Sequence, residues 1–280
     1  MNAIEAIVLA VLQGATELFP VSSLGHAVVL PALLRWNINQ DDPSFLPFLV
    51  MLHLGTATAL LLYFWRDWWA LLRGILGLGT SHEVGESRRV FVLIVVATIP
   101  AVVVGFLLEH FFRRLFGSPV VAASVLIVNG LLLILAEKVR RRGHRPLASL
   151  SARDAFIIGC WQCTALVPGI SRSGATIAGG LLQGIDHEGA AHFSFLIATP
   201  IIFGATALEV PKLLHHAGGT AMGAGIGGLA LLAALVAGIT AFASTAFLMR
   251  YFRDHDNWAL NPFAYYCIAA GAVSLALLLG

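Results

Sequence analysis

Charge is what this sequence has least of. Asp, Glu, Lys and Arg make up 11% of its 280 residues, against 58% for the hydrophobic types. A soluble chain of this length would need about a quarter of its residues charged to cover its surface, so a soluble globular domain is excluded. Cysteine is also scarce, at three. Cys160 and Cys163 form a C-x-x-C, but no strand precedes it and no second ligand pair follows. It reads as two small residues near one helical turn apart, and Cys267 as packing in an apolar run. The first residues, MNAIEAIVLAVLQGATE, lack a basic n-region and carry Glu5, so they are expected to stay in the mature protein rather than to be a cleaved signal peptide. No nucleic-acid partner is expected, and the net charge of +2 says little, because in a membrane chain the placement of Lys and Arg matters more than their sum.

Long apolar runs are abundant. The mean hydropathy is +0.86, and stretches at 46–65, 90–108, 119–136, 193–210, 221–249 and 259–280 approach or exceed the roughly 20 residues a crossing helix needs. Two further apolar regions, 3–34 and 155–185, are interrupted by Pro20-Val21-Ser22-Ser23 and by Pro168 to Ser173. Non-helical backbone at membrane depth is tolerated only beside protein or a water-filled cavity. The two regions are therefore expected to be re-entrant helix-break-helix hairpins around a polar site. The fold class follows as an all-α polytopic membrane protein with six transmembrane helices and two re-entrant hairpins.

Basic residues orient it. Lys138, Arg140, Arg141, Arg142, Arg145 and Arg153 crowd one loop, and Arg66, Arg73, Arg88 and Arg89 another. The positive-inside rule makes both cytoplasmic, puts Arg250 and Arg253 inside, and leaves Arg35, Arg113, Arg114 and Lys212 outside. Both termini then face outward. Each half carries one hairpin and three crossings, 1–136 and 155–280, joined by a basic loop at 137–154. Gln13 to Gly25 reads Q-x-x-x-x-x-F-P-x-S-S-x-G, and Gln162 to Gly174 reads Q-x-x-x-x-V-P-x-x-S-R-S-G, matching with one gap. The match falls on the two breaks, as an inverted-topology repeat requires.

Arg172 at membrane depth costs roughly 2.5–3.5 kcal/mol on insertion scales, so something must offset it. One offset is an ion pair with Glu17. The other is an anionic ligand, which the neighbours favour. Ser171, Ser173 and Thr176 bring hydroxyls, Gly169 and Gly174 admit close backbone approach, and a helix starting after the break aims free N–H groups at the same spot. The guanidinium fork suits phosphate oxygens. On the first hairpin Gln13 and Glu17 are four apart on one helical face, and His26 follows Ser22 by four and Ser23 by three. Singly these read as a glue residue, caps and an edge histidine. Together they point to phosphoryl transfer.

QGATELFPVSSLGH (Gln13–His26), PGISRSGAT (Pro168–Thr176), the later GGLLQG and FSFLIATPIIFGA, and HLGTATALLLYFWRD from His53 closely resemble the bacterial undecaprenyl-diphosphate phosphatases, the bacitracin-resistance (BacA) family, over nearly the whole chain. The resemblance implies a bacterial inner-membrane enzyme that removes the terminal phosphate of undecaprenyl diphosphate, recycling the lipid carrier for peptidoglycan synthesis, with a site open to the periplasm and a divalent cation, Mg²⁺ or Ca²⁺. It makes Glu17 a metal-binding or acid/base carboxylate, Arg172 the diphosphate clamp, and Ser171, Ser173 and Thr176 phosphate-binding residues. His26 becomes a catalytic histidine, and Ser23 the nucleophile or its hydrogen-bonding partner. Gln13, Ser22, Gly169 and Gly174 complete the substrate-binding set. Two departures stand out. Gln13 occupies a position where many members carry Glu, and Leu24 replaces the common Thr of S-S-T-G-H. Small-residue tracts at Gly223–Gly228 and Ala233–Gly238 could admit the lipid tail or simply pack helices. Membrane lipid is the surrounding partner, and a homodimer is a candidate assembly. A polyprenyl-phosphate transporter would need only the clamp. A structural scaffold leaves the paired polar hairpins unexplained.

Overall fold

Proline, serine and glycine decide where the helices stop. A computed structural model describes residues 2–36, 45–108, 118–140, 145–216 and 224–280. In chain order it contains α1 (Ala3–Thr16), α2 (Ser23–Leu33), α3 (Phe45–Tyr63), α4 (Trp65–Ile75), α5 (Ser81–Leu107) and α6 (Pro119–Val139). A short 3₁₀ turn (Leu147–Ser149) leads to α7 (Ala152–Thr164), α8 (Arg172–Leu182), α9 (His187–His216), α10 (Ala224–Asp254) and α11 (Asn261–Leu279). The chain is an all-α, multi-pass membrane protein; among the described residues five helices are long and apolar enough to cross a bilayer, or six if the bent pair α3–α4 is one span.

Both expected breaks are present. Asn2 and Glu5 form a capping box at the start of α1, and Ser151 and Asp154 do the same for α7. At 14 and 13 residues, α1 and α7 reach roughly 20 Å, short of the hydrocarbon thickness of about 30 Å. After each break a serine restarts the helix in the same way. Ser22 Oγ accepts from Gly25 N (3.3 Å) and Ser171 Oγ from Gly174 N (3.1 Å), each satisfying an otherwise unpaired N–H. Both breaks need backbone that few residues adopt, with φ of +70° at Ser22 and +102° at Gly169.

The hairpins pack across the molecule. α1 lies on α10 and α7 on α5, while α2 and α8 both meet α6. Small residues permit the close contacts. A Cβ at Gly130 would stand 2.6 Å from Ala264 O, and one at Gly271 would stand 2.7 Å from Ala123 O, so α6 and α11 touch backbone to backbone. Ala233 and Ala237 are buried against Ala6, Leu9, Ala10 and Leu52, and Gly238 backs onto Gly55. The Ala233–Gly238 tract is thus filled by helix packing.

The structure departs from the expected spans in three places. The 46–65 run ends at Tyr63, and the chain turns 76° into α4, which the sequence reading left as loop. α4 carries Trp65, Arg66, Asp67, Trp69 and Arg73 in one short element, a composition suited to the membrane–water boundary rather than to crossing. The next helix begins at Ser81 instead of 90, because Thr80 and Glu83 form a capping box that starts it early. α9 likewise begins at His187 rather than 193. Arg113, Arg114, Arg141, Arg142 and Gly223 lie outside the described residues, as does the Lys212 side chain.

Candidate active site

Glu17 is the hub of the site, at the end of α1 where the helix gives way to the first break. Its carboxylate is 9% exposed and accepts from both hairpins. Ser23 Oγ, in the first turn of α2, donates to Oε2 at 2.6 Å. Arg172 Nη2, in the first turn of α8, donates to Oε1 at 3.1 Å. Gln13 Nε2, one turn back on α1, donates to Oε2 at 3.1 Å. His53 on α3 brings Nε2 to 3.9 Å of Oε2 while its Nδ1–H donates to Leu49 O.

Arg172 opens a helix, where the dipole already places positive charge. A cation there is unfavourable unless an anion faces it, and Glu17 supplies one. The remaining donors of the guanidinium are underused. Nη1 reaches Ser194 O at 3.4 Å, and among the described residues the buried Nε has no partner. A buried, unpaired N–H is costly, so Nε is a donor held in reserve beside a charged cluster.

The other predicted residues divide into two groups. Ser171 and Ser173 are buried and bond the first break: both hydroxyls reach Phe19 O (3.3 and 3.0 Å), and they contact each other at 3.0 Å. Asn129 of α6 completes the clamp, accepting from Ser171 N and donating to Pro20 O. Thr176 Oγ1 donates to Arg172 O and meets Ser194 Oγ at 2.7 Å. A Cβ at Gly169 would collide with Val125 and Ala122 O, and one at Gly174 would press on Pro20 and Leu133, so both are sites of close approach. Hence Gln13, Glu17, Ser23 and Arg172 form one cluster, and Ser171, Ser173, Gly169 and Gly174 form the joint that holds the two breaks together.

Ser22 and His26 stand apart from that cluster. His26 Nδ1–H donates to Ser22 O at 2.7 Å, and its Nε2 lies 2.8 Å from Tyr266 Oη on α11, with the two ring planes nearly parallel. Among the described residues no hydrogen bond joins His26 to Glu17, Ser23 or Arg172.

Sequence reasoning passed over His53, Asn129, Ser194 and Tyr266. A lone His in the apolar 45–63 run and a lone Asn in the middle of α6 were the available signals, since polar groups at membrane depth are rare without a role. Nothing local marks Ser194 or Tyr266. Among the described residues no group of three or more His, Cys, Asp or Glu side chains could hold a metal ion.

Comparison with known proteins places the chain in a family. The sequence pattern of the family described as bacitracin resistance protein BacA matches residues 6–273. A protein named undecaprenyl-diphosphatase from Granulibacter bethesdensis is 64% identical, covering 99% of this chain and 97% of its own. Its namesakes from Acidiphilium cryptum and Gluconacetobacter diazotrophicus are 58% and 56% identical, each over 99% of this chain and at least 98% of theirs. With a family pattern spanning both hairpins and whole-length relatives at this identity, the chain belongs to the bacitracin resistance protein BacA family.

Proposed function

We infer that this protein is a membrane phosphatase that hydrolyses undecaprenyl diphosphate to undecaprenyl phosphate and inorganic phosphate, as the names of its relatives state for them. One observation carries the reading: a single buried carboxylate holds a serine hydroxyl from one helix break and an arginine from the other. A hydroxyl bonded to a base beside a cation is the arrangement of an activated nucleophile next to an anion clamp.

The chemistry we propose follows from those contacts. The diphosphate enters beside Arg172, whose Nε and Nη donors stabilise charge on the terminal phosphoryl group. Ser23 Oγ attacks the terminal phosphorus as its proton passes to Glu17, and the bond to the bridging oxygen breaks with undecaprenyl phosphate as leaving group. Water then cleaves the phosphoserine and releases inorganic phosphate, with His26 as the group left to serve this second proton transfer. Most of the acceleration comes from charge stabilisation and alignment, as is usual for phosphoryl transfer. A divalent cation, Mg²⁺ or Ca²⁺, would be held on the protein side by the Glu17 carboxylate and the Gln13 amide oxygen, oxygen ligands of the kind such hard cations take. When bound, it neutralises phosphate charge.

The finer architecture belongs to the same proposal. We read α1–α2 and α7–α8 as re-entrant hairpins of an inverted repeat, supported by their matched serine caps and by the crossed packing of α1 on α10 and α7 on α5. The basic segments share one side: Arg89 donates to Ala148 O and Leu150 O, and Arg140 reaches Asp256 and Asn257 between α10 and α11. That side is cytoplasmic by the positive-inside rule, so the termini and the site face the periplasm of an inner membrane. The role is lipid-carrier recycling for peptidoglycan synthesis, and with it resistance to bacitracin.

The test is phosphate release from undecaprenyl diphosphate by the purified protein, with and without a chelator, beside Glu17→Gln, Ser23→Ala and Arg172→Ala. Metal-dependent release lost in Glu17→Gln, Ser23→Ala and Arg172→Ala is expected. A folded wild-type protein that binds the lipid without releasing phosphate overturns the phosphatase and favours transport.

A further inference from the structure

We propose that Tyr266 is the positioning residue of His26, holding the direction in which its basic ring nitrogen points. The proposal rests on the reading of His26 as the histidine that serves the second proton transfer.

Three observations converge. Ser22 adopts φ +70° and ψ 99°, backbone that a residue with a side chain rarely takes up and that persists only where the surroundings enforce it. The Ser22 carbonyl receives His26 twice, from the backbone N–H at 3.3 Å and from Nδ1 at 2.7 Å. A carbonyl only accepts, so Nδ1 carries the proton, and the lone pair of the neutral ring is on Nε2. Tyr266 Oη sits 2.8 Å from that atom and donates to it. The phenol ring lies parallel to the imidazole, 5.6 Å between centroids at 7°. Strained backbone, tautomer and stacking thus all point one nitrogen in one direction. Tyr266 is 48% exposed, so its hydroxyl can yield Nε2 to an incoming phosphate or water without repacking a core.

Loss of the hydroxyl alone, in Tyr266→Phe, leaves the ring contact and frees Nε2. Undecaprenyl-diphosphate turnover by Tyr266→Phe in detergent is expected to show kcat about tenfold lower, because the imidazole is less often aligned for the proton transfer, with KM unchanged. Tyr265→Phe, at the more exposed neighbouring residue, is expected to match wild type. The ¹⁵N resonance of His26 Nε2, identified by its absence in His26→Gln, is expected to move in Tyr266→Phe and stay in Tyr265→Phe. An inactive His26→Gln with Tyr266→Phe at wild-type kcat overturns the positioning role alone, as does a fall in kcat with an unmoved resonance. Full activity in His26→Gln overturns the reading of His26 and the positioning role with it.

Discussion

Two buried ionic clusters stabilise this protein, and they are built to different ends. One joins Glu17, Ser23, Gln13 and Arg172 where the two breaks meet. The other sits where α6 ends, α9 begins and α10 turns into α11. There Glu137 and Asp256 face the two ring nitrogens of His187 at 2.8 and 2.9 Å, Arg140 approaches both acids at 3.5 Å, and Glu137 Oε1 also accepts Leu260 N. The Glu137 and His187 side chains are fully buried. Two carboxylates here meet two basic side chains, the Leu260 N–H takes up capacity at Glu137 Oε1, and Glu137 Oε2, which among the described residues makes only the 3.5 Å ion pair with Arg140, is sealed from solvent. At the breaks one carboxylate serves an arginine that keeps an unpaired Nε, beside a His53 that remains 32% exposed. Burial of charge does not separate a site from a joint. Unused hydrogen-bonding capacity with a route to it does.

Substitutions that split rate from stability test this contrast. The largest effect is expected from Arg172→Ala, which lowers kcat by about 10³-fold, the scale of removing one preorganised charge stabiliser, measured as phosphate release. Arg172→Lys should recover little, since a point charge does not replace a planar fork. The mirror experiment is His187→Leu. It leaves the buried Glu137 and the part-exposed Asp256 facing one arginine and is expected to cost about 3 kcal/mol of stability, near the lower end for a broken buried ion pair, read as an earlier thermal transition in detergent. Turnover per folded molecule stays at wild-type level. A His187→Leu protein that folds normally but loses turnover would erase the distinction. Next in size, Gln13→Glu places a second carboxylate one turn from Glu17, within repulsive reach. Basal rate should fall, and the cation concentration giving half-maximal rate should fall several-fold, because two acids hold Mg²⁺ or Ca²⁺ better than one.

Much of the first cluster was legible in the sequence, and almost none of the second. Pro20 and Pro168 interrupt apolar runs, so the breaks announce themselves locally. Arg172 is too costly at depth to stand alone, which left a Glu17 pair or an anion as its offset. The structure shows the pair, with donors left over for an anion. The joint at His187 gave no such signal. Glu137 and Arg140 sit at a helix end beside a basic stretch, where charges look solvated, and Asp256 lies 69 residues beyond His187 in a short loop. Charges near a predicted interface carry no local mark of burial, and only the convergence of three helix ends reveals it. α4 was hidden for a related reason: its tryptophans and arginines average to an unremarkable hydropathy although each suits a boundary.

The smallest predicted effect concerns pH. Burial alone would push the Asp256 carboxyl up, but hydrogen bonds from the His187 ring and amide, and the charges of His187 and Arg140, hold it below the usual Asp range. Asp154, at the start of α7, behaves alike: burial raises it, while the Ser151 N–H and hydroxyl and Arg145 outweigh that and lower it. For a carboxyl whose folded pKa is depressed, the stabilisation is complete above the unfolded value of about 3.9 and disappears as pH falls through the folded one. Thermal stability should therefore be flat in its dependence on these two acids above about pH 5 and should decline below about pH 4. Asp154→Asn and Asp256→Asn should each shallow that decline, because the amide has no proton to gain, while lowering stability at neutral pH. The loss should be smaller for Asp154, whose partner Arg145 is 39% exposed and screened by water, than for Asp256, whose partner His187 is fully buried. Equal losses for the two variants would show that the His187 joint is no more tightly closed than the cap of α7.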